Sequence, residues 1–296
     1  MIHSKSDRKY QIIINTVLII ITVIMVAPLI LLFMSSVTSE AALLVQGYSF
    51  LPSEFSAAAY QYIFINGQTI MRAYGTTIIV TLIGTVANII LSSMAAYALS
   101  IRKLPFRRVI SFYIFFTMLF SGGLVPSYLM WTSMFHIKNT LWALIVPNFL
   151  CSAMNVILIR TYYTTSIPEA LYEAAKIDGA SYMYIYRKIV LPMGKPILVT
   201  VGLFAGLGYW NDWTNGLYYI NNPKLYSIQT LLNKMIQDIQ ALQANSSAAS
   251  SGAGMAIPAV SMRMAIAFVA LLPILIIYPF LQKYFAEGIA LGAVKG

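Results

Sequence analysis

The amino-acid sequence predicts an all-α membrane protein with six transmembrane helices, on the strength of three observations. Hydrophobic residues make up 59% of the chain, charged residues make up 9%, and the mean hydropathy is +0.76, whereas soluble domains are roughly half apolar and a quarter charged. Six segments are apolar over the ~20 residues that a helix needs to cross a bilayer. The basic residues are distributed unevenly between those segments. We therefore expect a single transmembrane domain, residues 1–296, embedded in the lipid of the cytoplasmic membrane.

The predicted spans cover about 11–34, 74–100, 109–131, 140–160, 196–220 and 262–285. The first span follows Lys5, Arg8 and Lys9, as the apolar region of a signal peptide would. It is too long for such a region and has no small-residue cleavage site at its end, so we expect it to remain as a helix. In a membrane protein the net charge of +10 bears on orientation, and we expect no nucleic-acid partner.

Lysine and arginine favour cytoplasmic loops, so their positions predict the orientation of the spans. With the N-terminus inside, the basic residues on the outside are Arg72, Lys138, Lys224, Lys234 and Arg263. The other fourteen of the 19 basic residues then face the cytoplasm. This bias predicts that both termini are cytoplasmic, and it places the polar loop over residues 161–195 on the same side.

The loop over 161–195 has the signals of two short helices around a glycine turn. Ser166 is expected to cap a first helix that starts at Pro168, where a missing N–H costs nothing, and Glu169 is favourable in its first turn. Gly179 is expected to end this helix in the left-handed conformation. Ser181 can begin the second helix, which Pro192 and Pro196 are expected to end. A cytoplasmic helix–turn–helix of this kind suits the docking of a partner protein.

The residues "PEALYEAAKIDGASYMYIYRKIVLPMGKPIL" at 168–198 resemble the EAA motif of ABC importer permeases. The last residues, "EGIALGAVKG", resemble the tail of sugar-importer permeases related to the smaller maltose permease subunit. The segments "FSGGLVPSYLM", "NTLWALIVPNF" and "YWNDWTNGLYYINNPKLYSIQ" resemble a subgroup of those permeases assigned to complex oligosaccharides, uronate-containing ones among them. Together these segments cover most of the chain from about residue 116 onwards.

The resemblance implies a type I ABC importer permease fold in which the loop over 161–195, the coupling segment, lies in a cleft of an ATP-hydrolysing subunit. Glu173 would pair with a basic group of the ATPase, while Ala174 and Ala175 would allow close packing. The resemblance further assigns the turn to Asp178, Gly179 and Ala180, the exit of the loop to Pro192, and a tail contact with the ATPase to Gly292, Lys295 and Gly296. The alternatives are an interfacial helix–turn that only connects two spans, and a disordered terminus.

The same resemblance implies an assembly with a second, homologous permease, two ABC ATPase subunits and an extracytoplasmic solute-binding protein. ATP and Mg²⁺ would be bound by the ATPase, and the chain has no G-x-x-x-x-G-K-[ST] of its own. His3 and His136 lie far apart and Cys151 is the single cysteine, so we expect no cofactor, no metal site and no covalent catalysis in this chain.

Polar residues within the spans are candidates for a solute path, because polar side chains in a membrane protein face the interior or a wet cavity. The candidates are Asn88 in span two, Asn148, Ser152 and Asn155 in span four beside Pro147, and Tyr209, Trp210, Asn211 and Asp212 at the outer end of span five. Such residues also serve helix packing, which we favour for span two. For spans four and five, packing and a sugar path both remain open.

The predicted function is that of a permease subunit of an ATP-driven importer for a carbohydrate, as the resemblance implies. One alternative is a secondary transporter or channel that needs no ATP. Such a protein would carry ionisable residues deep in its spans, whereas here all acidic residues except Asp212 fall in loops or tails. The other alternative is an ABC importer permease for a solute that is not a sugar.

Overall fold

The structure is a computed structural model that describes residues 5–65, 67–147, 149–246 and 259–293. Helices make up nearly all of the regular structure in these residues. The described part of the chain contains no named strand, and Thr38 and Phe55 form an isolated β-bridge. The prediction of an all-α protein is therefore confirmed.

The helices follow one another along the chain with short connections. They are α1 (Lys5–Ser36), α2 (Glu40–Gln46), α3 (Ala58–Ile65), α4 (Gly67–Ser100), α5 (Arg107–Leu119), α6 (Leu124–Met134), α7 (Trp142–Ile145), α8 (Ala153–Ser166), α9 (Glu169–Ile177), α10 (Tyr182–Met193), α11 (Lys195–Trp210), α12 (Thr214–Tyr219), α13 (Ile228–Ser246) and α14 (Ala259–Ala293). Helices α6 and α10 each contain a π-helical turn, over Met130–Met134 and Tyr186–Val190.

The chain divides into two compact units, one formed by residues 1–68 and 232–274 and the other by 69–231 and 275–296. In the first unit, α1 is apolar and exposed along most of its length, as a helix in contact with lipid would be. The hydroxyls of Ser36 and Tyr60 lie 2.7 Å apart, and the rings of Phe33 and Phe268 are 5.0 Å apart. These contacts join α1 to α3 and α14.

The carboxylate of Glu40, at the start of α2, lies at the N-terminal end of α14. Its oxygens accept hydrogen bonds from the backbone N–H of Val260 at 2.9 Å and of Ser261 at 2.9 Å. The Ser261 hydroxyl donates a further bond of 2.9 Å. A carboxylate at this position satisfies free N–H groups of the first turn and complements the helix dipole, so Glu40 fixes the start of α14.

Two hydrophobic cores lie among the described residues of the second unit. The first lies beneath α9 and α10 and includes Tyr97, Tyr163, Ile185, Tyr186 and Val190. The second forms around α7 and α12, and its members include Val80, Leu144, Tyr209, Tyr219 and Ile220. The first core therefore supports the coupling segment.

Two helices in the described residues are long and apolar enough to cross a membrane, Tyr10–Ser36 and Gly67–Ser100. Two bent pairs raise this to four if each pair is one span: α5 with α6, bent by 111°, and α10 with α11, bent by 79°. The predicted sixth span, 262–285, falls inside α14. The number of six spans and their orientation stay predictions.

Three predicted spans are interrupted where the sequence analysis expected continuous helices. The span over 109–131 breaks between α5 and α6, where Gly123 has a φ of 87°. The span over 140–160 breaks after α7, which ends at Ile145, and helix resumes at Ala153, because Pro147 has no N–H and disfavours helix at the residue before it. The span over 196–220 breaks after Trp210, because the Asp212 carboxylate accepts the N–H groups of Thr214 and Asn215 and starts a new helix there.

Candidate functional site

The first helix of the coupling segment, α9, begins one residue later than expected. Pro168 precedes its first turn, in which Glu169 lies as predicted. The expectation that Ser166 caps α9 is wrong, because Ser166 is the last residue of α8. The extended backbone at Ile167 and Pro168, which proline favours, separates the two helices.

Gly179 ends α9 in the left-handed conformation, with a φ of 76°. The Gly179 N–H donates to the carbonyl of Lys176 at 3.0 Å, and the Ala180 N–H donates to that of Ala175 at 2.9 Å. These two bonds form a Schellman motif, in which glycine is favoured because it has no Cβ. Asp178 occupies the C-cap. The predicted turn is confirmed in its geometry.

The exposed side of α9 combines a charge with small and apolar residues. Glu173 and Ala174 are exposed, while Ala175 is half-buried and packs with Ala180 against the first core. Ile177 lies one turn beyond Glu173 and is 86% exposed. We call Glu173, Ala174 and Ile177 the docking face. The sequence analysis missed Ile177, although an isoleucine four residues after Glu173 on a loop helix was a readable signal.

The second helix of the coupling segment, α10, is hydrogen-bonded to α4. The hydroxyls of Tyr186 and Ser93 lie 2.6 Å apart and are buried. The Tyr97 hydroxyl donates to the carbonyl of Tyr182 at 3.1 Å, and the rings of Tyr97 and Tyr186 are 5.3 Å apart. These contacts fasten the coupling segment to α4.

Ser181 caps α10 as predicted, and its hydroxyl accepts the N–H of Tyr184. The expectation that Pro192 ends this helix is wrong, since α10 continues to Met193. Pro192 follows the π-helical turn, and π-helical bonding is one local adjustment that accommodates a proline in a helix. The chain bends at Gly194, and Pro196 lies in the first turn of α11, where no N–H is required.

A cavity of about 600 Å³ opens between the turn that joins α4 to α5 and the start of α9. We call it the basic cavity, because four cationic side chains and two carboxylates line it: Arg102, Lys103, Arg107, Lys176, Glu169 and Glu173. Arg102 and Glu169 form an ion pair at 3.1 Å with side chains 75% and 53% exposed. An exposed pair of this kind contributes at most about 1 kcal/mol.

Tyr163 and Tyr172 also line the basic cavity. Burial raises the pKa of both phenols, and the nearby Tyr186 and Tyr172 raise that of Tyr163 further. Both hydroxyls therefore stay protonated across the physiological pH range.

Three carbonyl groups in or beside the break between α7 and α8 are satisfied by side chains from other helices. Asn88 Nδ2 donates to the carbonyl of Phe149 at 2.6 Å, and the Tyr209 hydroxyl donates to that of Ile145 at 2.9 Å. Asn215 Nδ2 donates to the carbonyl of Pro147 at 3.1 Å. Buried carbonyls freed by a helix break need such partners in a membrane protein.

The candidate path residues that the structure describes differ in their surroundings. Asn88 and Asn155 are buried and bonded to each other, with Asn155 Nδ2 donating to Asn88 Oδ1 at 3.0 Å. Ser152 is half-buried at the start of α8. Asn148 lies outside the described residues. Residues 146, 147 and 149–152 are not helical, so span four is not the continuous helix predicted over 140–160.

At the end of α11, the structure separates four neighbouring candidates. Tyr209, Trp210 and Asp212 are buried, whereas Asn211 is exposed and donates to the carbonyl of Leu207 at 3.0 Å. Tyr209 supports α7, and Asp212 caps α12. Three of the four are thus enclosed by protein, and Asn211 alone is open.

Comparisons with known proteins assign the chain to a family. Residues 88–291 match the family model described as "Binding-protein-dependent transport system inner membrane component". The chain belongs to this family. The match includes α9, α10 and their connection to α4, so the resemblance inferred from the EAA motif is confirmed. This permease is therefore a multi-pass membrane component of an ABC transport system, and components of this kind are not catalytic.

Two relatives from Bacillus subtilis (strain 168) are similar to the permease over most of its length. The polygalacturonan/rhamnogalacturonan transport system permease protein YtcP is 36% identical over 290 residues, covering 98% of this chain and 99% of that protein. Protein LplC is 34% identical over 275 residues, covering 92% and 90%. A crystal structure of a bacterial ABC transporter involved in the import of the acidic polysaccharide alginate has a chain with a TM-score of 0.78, 31% identity, and coverage of 96% of this chain and 99% of that chain.

The tail of the permease is described in part. Gly292 lies in the last turn of α14, while Lys295 and Gly296 lie outside the described residues. No group of three or more His, Cys, Asp or Glu side chains that could hold a metal ion occurs in the part of the permease that the structure describes. The coupling segment, the docking face and the basic cavity are thus the candidate functional features.

Proposed function

We propose that this permease imports an oligosaccharide, delivered by an extracytoplasmic solute-binding protein, and that ATP hydrolysis on a partner subunit drives the import. The observation that carries the proposal is the docking face, which is exposed on a helix whose neighbour α10 is hydrogen-bonded to α4. A movement of Glu173 would therefore be passed to α4 through the hydrogen bond that joins α10 to it. The family assignment supports the same role.

The proposed substrate is an oligosaccharide that contains uronic acid. This rests on the names of relatives: polygalacturonan and rhamnogalacturonan for one, the acidic polysaccharide alginate for the structural neighbour. An arabinooligosaccharide permease of Bacillus subtilis is also related, at 24% identity. Transport assays with galacturonate oligomers and with neutral oligomers of equal length would separate an acidic from a neutral substrate.

The proposed assembly contains a second, homologous permease and two ABC ATPase subunits that bind ATP and Mg²⁺. The ATPases would close on ATP binding and move residues 168–195 as a lever that switches access to the solute path. Family membership supports the solute-binding protein and the ATPase as partners.

Within that assembly, Glu173 would pair with a basic group of the ATPase, and Ile177 would fill an apolar pocket beside it. Ala174 is exposed and small enough to permit close approach. Asp178, Gly179 and Ala180 would hold the end of α9 in place, while Ala175 packs against the core. The further proposed contacts are Pro192 at the exit of the loop and the tail residues Gly292, Lys295 and Gly296.

The solute path would run along α4, the break at 146–152 and the end of α11. The proposed lining residues are Asn88, Asn148, Ser152, Asn155, Tyr209, Trp210, Asn211 and Asp212. The exposure of Asn211 supports its direct contact with hydroxyl groups of a sugar. The bonds of Asn88 and Tyr209 to backbone carbonyls support a role in shaping the path.

The test of the docking role compares Glu173→Ala with Glu169→Ala in the same helix. Both variants lose one carboxylate, but Glu169 pairs with Arg102 of its own chain. We expect Glu173→Ala to lose the ATPase on purification in mild detergent and to lower uptake at least about tenfold, as for one partner of a charge pair removed from an interface. Glu169→Ala should retain both. Unchanged uptake in Glu173→Ala would refute the docking role.

A further inference from the structure

The first turn of α13 is held against α4 by a hydrogen bond between residues that lie far apart in the sequence. The backbone N–H of Ile228 donates to Thr77 Oγ1 at 2.9 Å, and the Thr77 hydroxyl donates in turn to the carbonyl of Ala73 at 2.9 Å. Ile228 is 0% exposed and Thr77 is 1% exposed. The first N–H groups of a helix have no acceptor within that helix. Thr77 of α4 therefore supplies a hydrogen-bond partner that α13 cannot supply itself.

Ser227 holds the same helix start to a different part of the chain. Its hydroxyl oxygen accepts the N–H of Thr230 at 3.2 Å and lies 2.8 Å from the Thr230 hydroxyl, as expected of a serine that caps a helix. The Ser227 hydroxyl also lies 3.3 Å from the carbonyl of Asp212, to which it can donate. Hydrogen bonds thus connect the start of α13 to α4 through Thr77 and, separately, to the end of α11 through Ser227.

Farther along α4 lie its contacts with the coupling segment. Ser93 and Tyr97 of α4 are hydrogen-bonded to α10, and they follow Thr77 by about 24 to 30 Å along the helix, at 1.5 Å per residue. The helix runs from Gly67 to Ser100 without a proline and is long enough to cross a membrane. One continuous helix therefore connects the coupling segment with the start of α13.

We propose that Thr77 is a positioning residue that makes the start of α13 move together with α4 and thereby links α13 to the ATPase. The orientation predicted from the sequence places this end of α4 outside. The exposed residues of α13 include Gln237, Asp238 and Gln240, which suit contact with a water-soluble protein such as the solute-binding protein. Arrival of that protein at α13 would shift α4 through Thr77, and α4 would shift α10 and the docking face.

This inference rests on the proposed function, because it requires an ATPase at the docking face and a solute-binding protein on the outside. It extends that function by naming the contact through which the solute-binding protein controls ATP hydrolysis. Thr77 belongs neither to the docking face nor to the proposed solute path. Its bond to Ile228 can therefore be removed while both of those features keep their residues.

The experiment uses the transporter purified with its native partner subunits in nanodiscs. The rate of ATP hydrolysis is measured with and without the solute-binding protein, loaded with whichever of the galacturonate or neutral oligomers the transporter takes up. The quotient of the two rates is the stimulation ratio. Thr77→Val removes the acceptor for the Ile228 N–H and keeps the shape of the side chain. The ratio should fall about fivefold, as for the loss of one buried hydrogen bond, while the basal rate stays unchanged.

Thr77→Ser and Ser227→Ala are the controls. Thr77→Ser keeps the hydroxyl and should retain the stimulation ratio. Ser227→Ala removes the cap of the same helix turn and leaves the bond between Thr77 and Ile228 in place. Thr77→Val and Ser227→Ala should both lower the Tm, because each leaves a buried N–H without its acceptor, but only Thr77→Val should lower the ratio. A loss of stability alone would affect both variants.

A ratio retained in Thr77→Val, or lost equally in Ser227→Ala, would overturn the inference. An unaltered transporter that takes up sugar and hydrolyses ATP without stimulation by the solute-binding protein would also overturn it, although the proposed function would then stand. A purified permease that retains no ATPase would contradict the proposed function itself, and the inference with it.

Discussion

The hydroxyl oxygens of Ser93 and Tyr186 lie 2.6 Å apart in the first core, and this hydrogen bond joins α4 to α10. Ser93 Oγ also lies 3.1 Å from the carbonyl of Ile90, to which it donates. With that proton already used, Tyr186 is the donor of the shared bond. The relationship leads to a first prediction about how movement of the coupling segment reaches the membrane.

We expect Tyr186→Phe to lower the substrate-stimulated ATPase activity and uptake while the ATPase stays bound. The substitution keeps the ring packed against Tyr97 and removes one buried hydrogen bond, which contributes about 1 kcal/mol. The measurements are the rates of substrate-stimulated ATP hydrolysis and of sugar uptake in proteoliposomes. Tyr184→Phe is the control, because Tyr184 is exposed. Rates in Tyr186→Phe equal to those of the control would show that this bond does not transmit the movement.

The second prediction concerns Gly179. Gly179→Ala should destabilise the end of α9 by roughly 1 to 2 kcal/mol, because an L-residue at a φ of 76° is strained although space for its Cβ is free. Co-purification of the ATPase should fall as the docking face loses its fixed position. Gly75→Ala is the matched control, since Gly75 also has free space but lies within α4 without a positive φ. Equal behaviour of the two variants would exclude backbone strain as the cause.

A third prediction separates structure from substrate binding at the asparagine pair. Asn88→Ala leaves the Phe149 carbonyl and Asn155 Nδ2 without their partners, whereas Asn155→Ala leaves only Asn88 Oδ1. We expect Asn88→Ala to cost more stability, by about 1 kcal/mol or more, because each buried unsatisfied group carries its own penalty. Thermal unfolding in detergent measures the difference.

Asn211→Ala provides the comparison for the asparagine pair. Asn211 is exposed, so its loss should leave the Tm nearly unchanged and raise the KM for uptake if it contacts sugar. Should Asn88→Ala instead leave the Tm intact and change only the KM, the structural role assigned to Asn88 would be incorrect.

The fourth prediction concerns the first turn of α14. Glu40→Gln should lower the Tm, because an amide oxygen is a weaker acceptor than a carboxylate for the N–H groups of Val260 and Ser261 and does not complement the helix dipole. The expected cost is about 1 kcal/mol. Glu54→Gln is the control. Glu54 is exposed, and among the described side chains only the Ser39 hydroxyl donates a hydrogen bond to its carboxylate. A Tm equal in both variants would contradict the capping role.

Much of the coupling segment could be predicted from the sequence, because its signals are local. The glycine that ends α9 and the serine that caps α10 act on backbone groups within five residues of themselves. The predicted start of α9 differs from the observed one, because a serine at position 166 is as compatible with the end of α8 as with the cap of α9. Local sequence signals predict the presence of a helix more reliably than they predict its first residue.

The breaks in the predicted spans could not be read in the same way, because distant side chains stabilise them. The Phe149 carbonyl is satisfied by Asn88, 61 residues away, and the Pro147 carbonyl by Asn215, 68 residues away. Hydropathy treats the segment over 140–160 as one apolar run and does not detect such partners. The basic cavity was missed for the same reason, since residues 102–107 and 163–176 meet only in the folded chain.

The bend at Gly194 has a mechanical consequence. A Cβ at this position would lie 2.5 Å from Cε1 of the Tyr163 ring, so the ring fills the space that any larger residue would need. Straightening α10 against α11 would withdraw the backbone from that ring and leave a void, which is costly in a close-packed core. The Tyr163 ring therefore stabilises the bend of 79° between α10 and α11. A movement of α9 should consequently move α10 and α11 together.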